Sequence, residues 1–336
     1  MKTLTLSVLD QSVSVAGSTE GAAIRDTLDL AQQCERLGYQ RFWVSEHHGL
    51  PTIVGSAPEI LMAAIAARTT RIRIGSAGVM LPHYSALKVA EQFRVLEALA
   101  PGRIDLGVGR APGGDMRTAR ALNPNAHAAA DNFPEQVRDL QAWSSLPAHQ
   151  AIAAHPQGPH APEVWILGSS NYGAQLAAHF GLPYAYAYFF VDGQGAEEAL
   201  ALYRRLYRPS ERHPQAQATV CVWALAAGTH EEAAHHALGR ERWRVDRARG
   251  VLGPLQAPDA IAKRGFTADE WPTVEAMRAR AFVGTAQEVG AQFRALASEL
   301  QLDEIVVNTW AHDPAVRRTS YGLLAREFGL EVSVCA

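Results

Sequence analysis

Three short segments of this chain carry residue types that bind or transfer. Trp43-Val44-Ser45-Glu46-His47-His48 ends an apolar run in a carboxylate and two imidazoles. Gly75-Ser76-Ala77-Gly78-Val79-Met80-Leu81-Pro82 is built from small residues, and Gly102 to Arg110 passes through Gly107-Val108-Gly109 to end in a cation. Each begins like a buried strand and ends in polar or small side chains. They lie about one strand-plus-helix unit apart. In an α/β chain that spacing sets the ends of successive parallel strands side by side, where ligands bind.

Strand alternation sends Glu46 and His48 to one side and His47 to the other. A histidine at a strand end acts as an acid–base group or hydrogen-bonds a heterocycle. A resting place in a satisfied polar cluster competes with that role. Metal binding is a weaker rival, because no His-Glu-x-x-His spacing follows and no third ligand is obvious. The small residues Gly75 to Gly78 let a flat ring lie against the backbone, or they simply pack the interior. Gly107-Val108-Gly109 fails as a dinucleotide fingerprint, since Pro112 stands where the third glycine belongs and disfavours a helix. Arg110 remains, a cation suited to phosphate or carboxylate. Val164 to Gly168 followed by Ser169-Ser170-Asn171-Tyr172-Gly173 reads as a strand entering a helix N-terminus, an anion site or an ordinary cap. Val283-Gly284-Thr285, before a helix starting near Ala286, is a rival phosphate loop.

The elements that must position these residues alternate along the chain. Strands are predicted at Leu4–Leu9, Arg41–Ser45, Ile72–Val79, Ile104–Val108, Val164–Leu167, Tyr184–Phe189, Thr219–Ala226 and Glu304–Asn308. Helices are predicted at Ala22–Leu37, Ala57–Arg68, Ala86–Leu99, Glu135–Trp143, Tyr172–His179, Ala196–Leu206, Glu231–Arg247 and Pro314–Phe328. Nearly continuous apolar strands, each followed by a helix, predict a single (β/α)8 barrel over residues 1–336. The excursions at Ala111–Asn132, Pro147–Pro162 and roughly 250–281 are long for barrel connections. The third holds an amphipathic piece, Thr273–Phe282, and is a candidate active-site lid.

Composition excludes several classes. A net charge of −3 over 336 residues argues against a nucleic-acid or membrane-surface partner. The one arginine run, Arg240 to Arg249, is broken by Glu241 and Asp246 and reads as a solvated helix face. Cys34, Cys221 and Cys335 lie far apart without Cys-x-x-Cys spacing, which fits a reducing compartment and no structural metal. The apolar run at the N-terminus is too short for a signal peptide, and no stretch of ~20 apolar residues could span a bilayer. A cytoplasmic location is expected.

Taken together, Glu46-His47-His48, Gly75-Ser76-Ala77-Gly78 with Leu81-Pro82, Pro101-Gly102-Arg103 through Arg110, and Gly181-Leu182-Pro183 resemble the bacterial luciferase-like flavin monooxygenase family. The Ser7-Val8-Leu9-Asp10 start and Arg110-Ala111-Pro112-Gly113 point to its single-chain oxidoreductase branch. The resemblance implies a TIM barrel, usually a homodimer, that binds FMN non-covalently and uses the reduced form with O2 on a small-molecule substrate. It places His47 near the reactive edge of the flavin. It sets Ala77-Gly78 behind the isoalloxazine as a peptide often cis, with Glu46 and Ser76 in the same cofactor-binding set. Arg110 matches a phosphate-contacting arginine, and Gly168, Ser169, Ser170, Tyr172 and Gly173 match the anion-binding turn. The resemblance thereby favours this turn over Gly284-Thr285. No nicotinamide motif is visible, which favours reduced flavin supplied by a separate flavin reductase. Other readings are a flavin or deazaflavin reductase without oxygen chemistry, and a non-catalytic flavin-binding protein.

Overall fold

The computed structural model describes residues 4–111, 115–144 and 152–330. Pro112 and Gly113 of the arginine motif, Cys335 and the start of the second excursion lie outside the described residues. Nine strands are described: β1 (Thr5–Asp10), β2 (Arg41–Val44), β3 (Arg73–Met80), β4 (Ile104–Gly109), β5 (Glu163–Gly168), β6 (Tyr184–Tyr186), β7 (Ala218–Ala227), β8 (Phe282–Thr285) and β9 (Glu304–Asn308). Every ladder is parallel. The order β1-β2-β3-β4-β5-β6-β7-β9 closes on itself through the β6–β7 and β1–β9 pairings. This is the eight-stranded barrel that the alternating pattern predicts.

The helices following these strands are α1 (Glu20–Arg36), α2 (Pro58–Ala66), α3 (Ala86–Leu99), α4 (Met116–Leu122), α5 (Ala126–Asp131), α6 (Phe133–Trp143), α7 (Asn171–Phe180), α8 (Ala196–Leu206), α9 (His230–Ala248), α10 (Pro258–Arg264), α11 (Trp271–Arg278), α12 (Ala286–Leu300) and α13 (Pro314–Glu327). Local chemistry sets their starts. Thr19 accepts a hydrogen bond from Ala22 N before α1, Ser85 from Lys88 N before α3, and Asp313 from Ala315 N before α13. α1 then buries Thr27, Leu28, Leu30, Ala31 and Cys34, the stripe expected of a helix lying on a sheet.

Period-two alternation sorts each strand between two apolar layers. Leu9, Trp43, Trp165, Ala185, Cys221 and Val306 meet inside the barrel. Their neighbours Val8, Phe42, Ile166, Tyr184, Val220 and Ile305 join the layer shared with the helices. Two predicted boundaries differ. The strand expected to run from Tyr184 to Phe189 stops at Tyr186, because Tyr188–Phe190 fold into a tight turn in which Phe190 N donates to Ala187 O. β8 was not expected at all. It has four residues and pairs only with the last four of β7, outside the closed barrel, so it lacks the length that marks a buried strand.

The arginine run is also placed differently from the expectation. Arg242 is buried and pairs with Glu270 at 2.8 Å and Asp246 at 2.7 Å. Arg249 also meets Glu270, and Arg278 of α11 meets Glu241 at 2.8 Å. These pairs tie residues 250–281 to α9. The backbone of Leu255 exchanges hydrogen bonds with Ser14 and Ala16, fastening the same segment to the loop after β1. The run is therefore an organising face at Arg242 and Arg244, and solvated at Arg247 and Arg249. Apart from Asp246, one turn away, the acidic partners that neutralise it lie 20 to 52 residues away, beyond what local charge alternation reveals.

The N-terminal floor of the barrel is ionic. Asp105, wholly buried, accepts from Arg41 Nη1 at 2.9 Å, Arg73 Nε at 3.0 Å and Trp43 Nε1 at 2.9 Å. Arg41 also reaches Glu163 and Glu304, each at 3.1 Å. Burial by itself pushes the Asp105 carboxyl up, but Arg41 and Arg73 outweigh it and hold the group below the ordinary carboxylate range. Removing one partner of such a cluster strands the others as buried charges. Asp105→Ala is expected to cost about 3–5 kcal/mol. Urea unfolding followed by circular dichroism measures this, and a loss under about 1 kcal/mol would show that the floor is not held by charge.

Candidate active site

The opposite rim, at the C-terminal ends of the strands, gathers the predicted site residues into two groups. The first surrounds a cavity of about 350 Å³. Gln11 enters it from just beyond β1, His47 from beyond β2, Trp223 from β7, and Asn308 and Trp310 from the end of β9. Gln11 Oε1 accepts from Asn308 Nδ2 at 2.6 Å and Trp310 Nε1 at 3.1 Å, so the ends of β1 and β9 are tied through one acceptor. Phe189, Phe190, Trp243 and Ile53 complete an apolar wall.

His47 faces this cavity while Glu46 and His48 turn away, as alternation predicts. One ring nitrogen, Nδ1, pairs with Ser45 Oγ at 3.2 Å, and Nε2 has no partner among the described residues. Burial, and then the charge of Arg247, lowers its pKa to about 4 against the opposing pull of Glu46. The ring is neutral at pH 7. Glu46 is buried and its carboxylate is occupied by three protein partners: Tyr84 Oη and His48 Nε2, each at 2.7 Å, and Met80 N at 3.0 Å. It braces the end of β3 and does not line the cavity.

β3 carries the small residues. The Ala77–Gly78 peptide bond is cis, the geometry the family resemblance implies, and the register between β3 and β4 shifts between Ser76 and Val79. Ser76 Oγ donates to Gly107 O at 2.9 Å. A side chain at Gly78 would collide with Leu167 and come within 2.8 Å of the Gly107 oxygen. Interior packing thus demands glycine at 78. Gly109, in contrast, has open space around the place a Cβ would take.

The second group lies where β4 and β5 end. Arg110 is exposed and its guanidinium stacks 4.0 Å over the ring of Tyr172, in the first turn of α7. Ser170 stands at the N-cap of α7 yet makes no capping hydrogen bond. The first N–H groups of this helix are left free, at the positive end of its dipole. Gly168 and Gly173 approach closely beneath the turn, a Cβ on Gly173 falling 3.4 Å from Gly168 Cα. The rival loop differs in one respect. Thr285 and Glu288 form a reciprocal capping box, with Glu288 Oε2 accepting from Thr285 N at 2.7 Å. That helix end already holds a carboxylate where an external anion would sit.

Sequence reasoning found His47 and the α7 turn but missed Gln11, Trp223, Asn308 and Trp310. It also missed the face of α9 that carries Arg240, Arg244 and Arg247 to the cavity. A signal was present: these three arginines recur at i, i+4 and i+7, one face of a helix. Among the described residues no cluster of histidine, cysteine and acidic side chains could hold a metal ion, and no helix is long and apolar enough to cross a membrane.

Residues 4–303 match the luciferase-like monooxygenase family. The N-acetyl-S-alkylcysteine monooxygenase of Bacillus subtilis is 35% identical over 332 residues, 95% of this chain and 97% of that one. The crystal structure of apo-MsnO8 superposes with a TM-score of 0.90 at 35% identity, over 98% of this chain and 99% of that one. The oxygenating constituent of 3,6-diketocamphane monooxygenase from Pseudomonas putida, solved in complex with FMN, gives a TM-score of 0.70. At 16% identity, over 97% of this chain and 98% of that one, it bears on the fold alone.

The depressed pKa of His47 couples the site to stability. A folded value of about 4 lies under the ordinary ~6.5, so the unfolded chain takes up the proton first. Its contribution is complete above pH ~6.5 and is lost as the pH falls towards 4. The loss is at most roughly 1.4 kcal/mol per pH unit, less for the ring's partial exposure. His47→Gln is expected to flatten the fall in stability between those limits, read from urea midpoints at pH 7, 5.5 and 4.5. An unchanged slope would assign the acid sensitivity to other groups.

Proposed function

Since this chain belongs to the luciferase-like monooxygenase family, we propose that it is an FMN-dependent monooxygenase whose cofactor and substrate meet at the C-terminal rim of the barrel. The observation that carries the reading is the uncapped start of α7 with Arg110 stacked on its first turn. Free N–H groups, a helix dipole and an arginine together suit a phosphate monoester. The phosphate of FMN supplies one, and the open space at Gly109 admits it. Reduced flavin, when bound, supplies two electrons and activates O2.

The chain's own residues then have distinct tasks. Arg110 and the first N–H groups of α7 hold the phosphate. Ala77 and Gly78 present backbone to the ring. Trp223, Trp243, Trp310 and the two phenylalanines exclude water from the reacting atoms. His47, kept neutral, holds or moves a proton at Nε2. Glu46 is a positioning residue, acting through Met80 N and His48. Reduced FMN comes from a separate reductase.

Two measurements test this. Arg110→Ala is expected to weaken FMN binding about 10–100-fold while leaving riboflavin nearly unchanged, in flavin fluorescence titrations. Thr285→Ala should alter neither. Equal losses for both flavins would take Arg110 out of the phosphate site, and a preference for a deazaflavin would replace the cofactor. For His47, reduced FMN–protein is mixed with oxygenated buffer in a stopped-flow instrument. His47→Ala should release hydrogen peroxide at least about tenfold faster than wild type, given the usual weight of a proton-handling group. Matching rates would remove His47 from the chemistry. If wild type reacts no differently from free reduced FMN, the monooxygenase reading falls.

A further inference from the structure

The cavity beside His47 is lined by charge of one sign. Arg240, Arg244 and Arg247 reach it from α9, and none of its lining residues is a carboxylate. One of the three is ion-paired, and the other two lie over aromatic rings. Arg244 forms a bidentate pair with Asp192 at 2.6 and 2.7 Å. Arg247 lies 5.2 Å over Trp243 and 6.0 Å over Phe190.

Arg240 differs. Its guanidinium stands 4.4 Å over the ring of Trp223. Among the described residues its hydrogen-bond acceptor is the Phe189 carbonyl, at a long 3.4 Å, and no carboxylate oxygen lies within 4.0 Å of it. Burial, and then the like charge of Arg244, draws its pKa down to about 9 against Asp192 and Glu241. It is still protonated at pH 7, a half-buried cation without an ion pair among the described residues. The ring beneath it repeats the pattern, since the buried Trp223 Nε1–H has no acceptor. Among the described residues, then, an ionic donor with one long hydrogen bond and a neutral donor with none share one wall, and the remaining lining is largely aromatic.

We propose that the substrate is an organic anion, a carboxylate or sulfonate on an apolar body, with Arg240 and Trp223 Nε1 receiving its head group. The body packs among Trp243, Trp310, Phe189 and Ile53, which brings it to His47. Arg240 is thus a specificity-determining residue. This rests on reading the cavity as the substrate side of the monooxygenase site. The flavin phosphate is a second possible source of the anion, and the test separates the two.

Octanoate, octanesulfonate and 1-octanol are titrated into the flavin-free and the FMN-loaded protein, followed by intrinsic tryptophan fluorescence. In wild type the better of the two anions should bind about 10–100-fold tighter than the alcohol, and the order of the two anions identifies the head group. Arg240→Met should abolish that gap without changing alcohol binding, and Arg240→Lys should keep part of it. A thermal melt checks that Arg240→Met folds. If it does not, Arg240→Lys decides, since swapping a fork of donors for a point charge should still narrow the gap. Equal binding of anion and alcohol overturns the proposal, as does a gap that survives both substitutions. So does a loss of FMN affinity without loss of riboflavin affinity in the variants, which would give Arg240 to the cofactor. Wild type that binds the anions but not FMN would overturn the flavin reading and leave this one standing.

Discussion

The fold depends on a carboxylate that water never reaches. Asp105 sits at the floor of the barrel, where burial alone would make its charge intolerable. Arg41, Arg73 and the Trp43 indole resolve this, and because they start β2 and β3 while Asp105 lies on β4, the solution also sets three strands in register. Glu163 and Glu304 extend the same network to β5 and β9. A one-residue slip in any of these strands would turn a charged partner out of the cluster and an apolar one in. The far ends of those strands carry the site, so the ionic floor indirectly determines where His47, Gly109 and Ser169 stand.

The two ends of the barrel differ in what they leave unsatisfied. At the floor the charges of Arg41 and Asp105 are met by protein partners. At the rim, several groups are not. α7 begins without a cap, His47 Nε2 has no partner among the described residues, and Arg240 and Trp223 Nε1 have weak acceptors or none. At the start of α12, by contrast, the capping box of Thr285 and Glu288 occupies the helix end with the chain's own side chains. Unsatisfied donors are costly unless a ligand completes them. Their placement beside aromatic walls on this rim is the physical basis for proposing a cofactor and a substrate there. Residues 250–281 contribute from a distance, holding α9 in place through Glu270 and Arg278 so that its arginines reach the cavity.

How much of this could be read in advance depended on the range of the interaction. The eight barrel strands and the helices between them were legible, because apolar runs and 3.6-residue spacing are local signals that a single chain displays in full. So were the side of the strand that His47 faces, which follows from period two, and the turn from Gly168 to Gly173, where small and hydroxyl residues stand together. β8 was not, because a four-residue strand takes its identity from the β7 edge it joins. Small residues at Gly75 to Gly78 suited both packing and a flat ring, and only Leu167 and the Gly107 carbonyl decide that glycine at 78 is required by packing.

By itself, then, the order of residues determined the barrel, the rim on which chemistry sits and the residues of the α7 turn, since each rests on periodicity or on neighbours in the chain. Tertiary structure alone decided which charges are answered. The arginines of α9 look like a solvated face until Glu270 and Asp192, brought from other elements, pair Arg242 and Arg244 and leave Arg240 and Arg247 over aromatic rings. Glu46 looks like a ligand until Tyr84 and Met80 N occupy it. Whether a polar group is free to act depends on desolvation and on partners distant in sequence, and those exist only once the chain has folded.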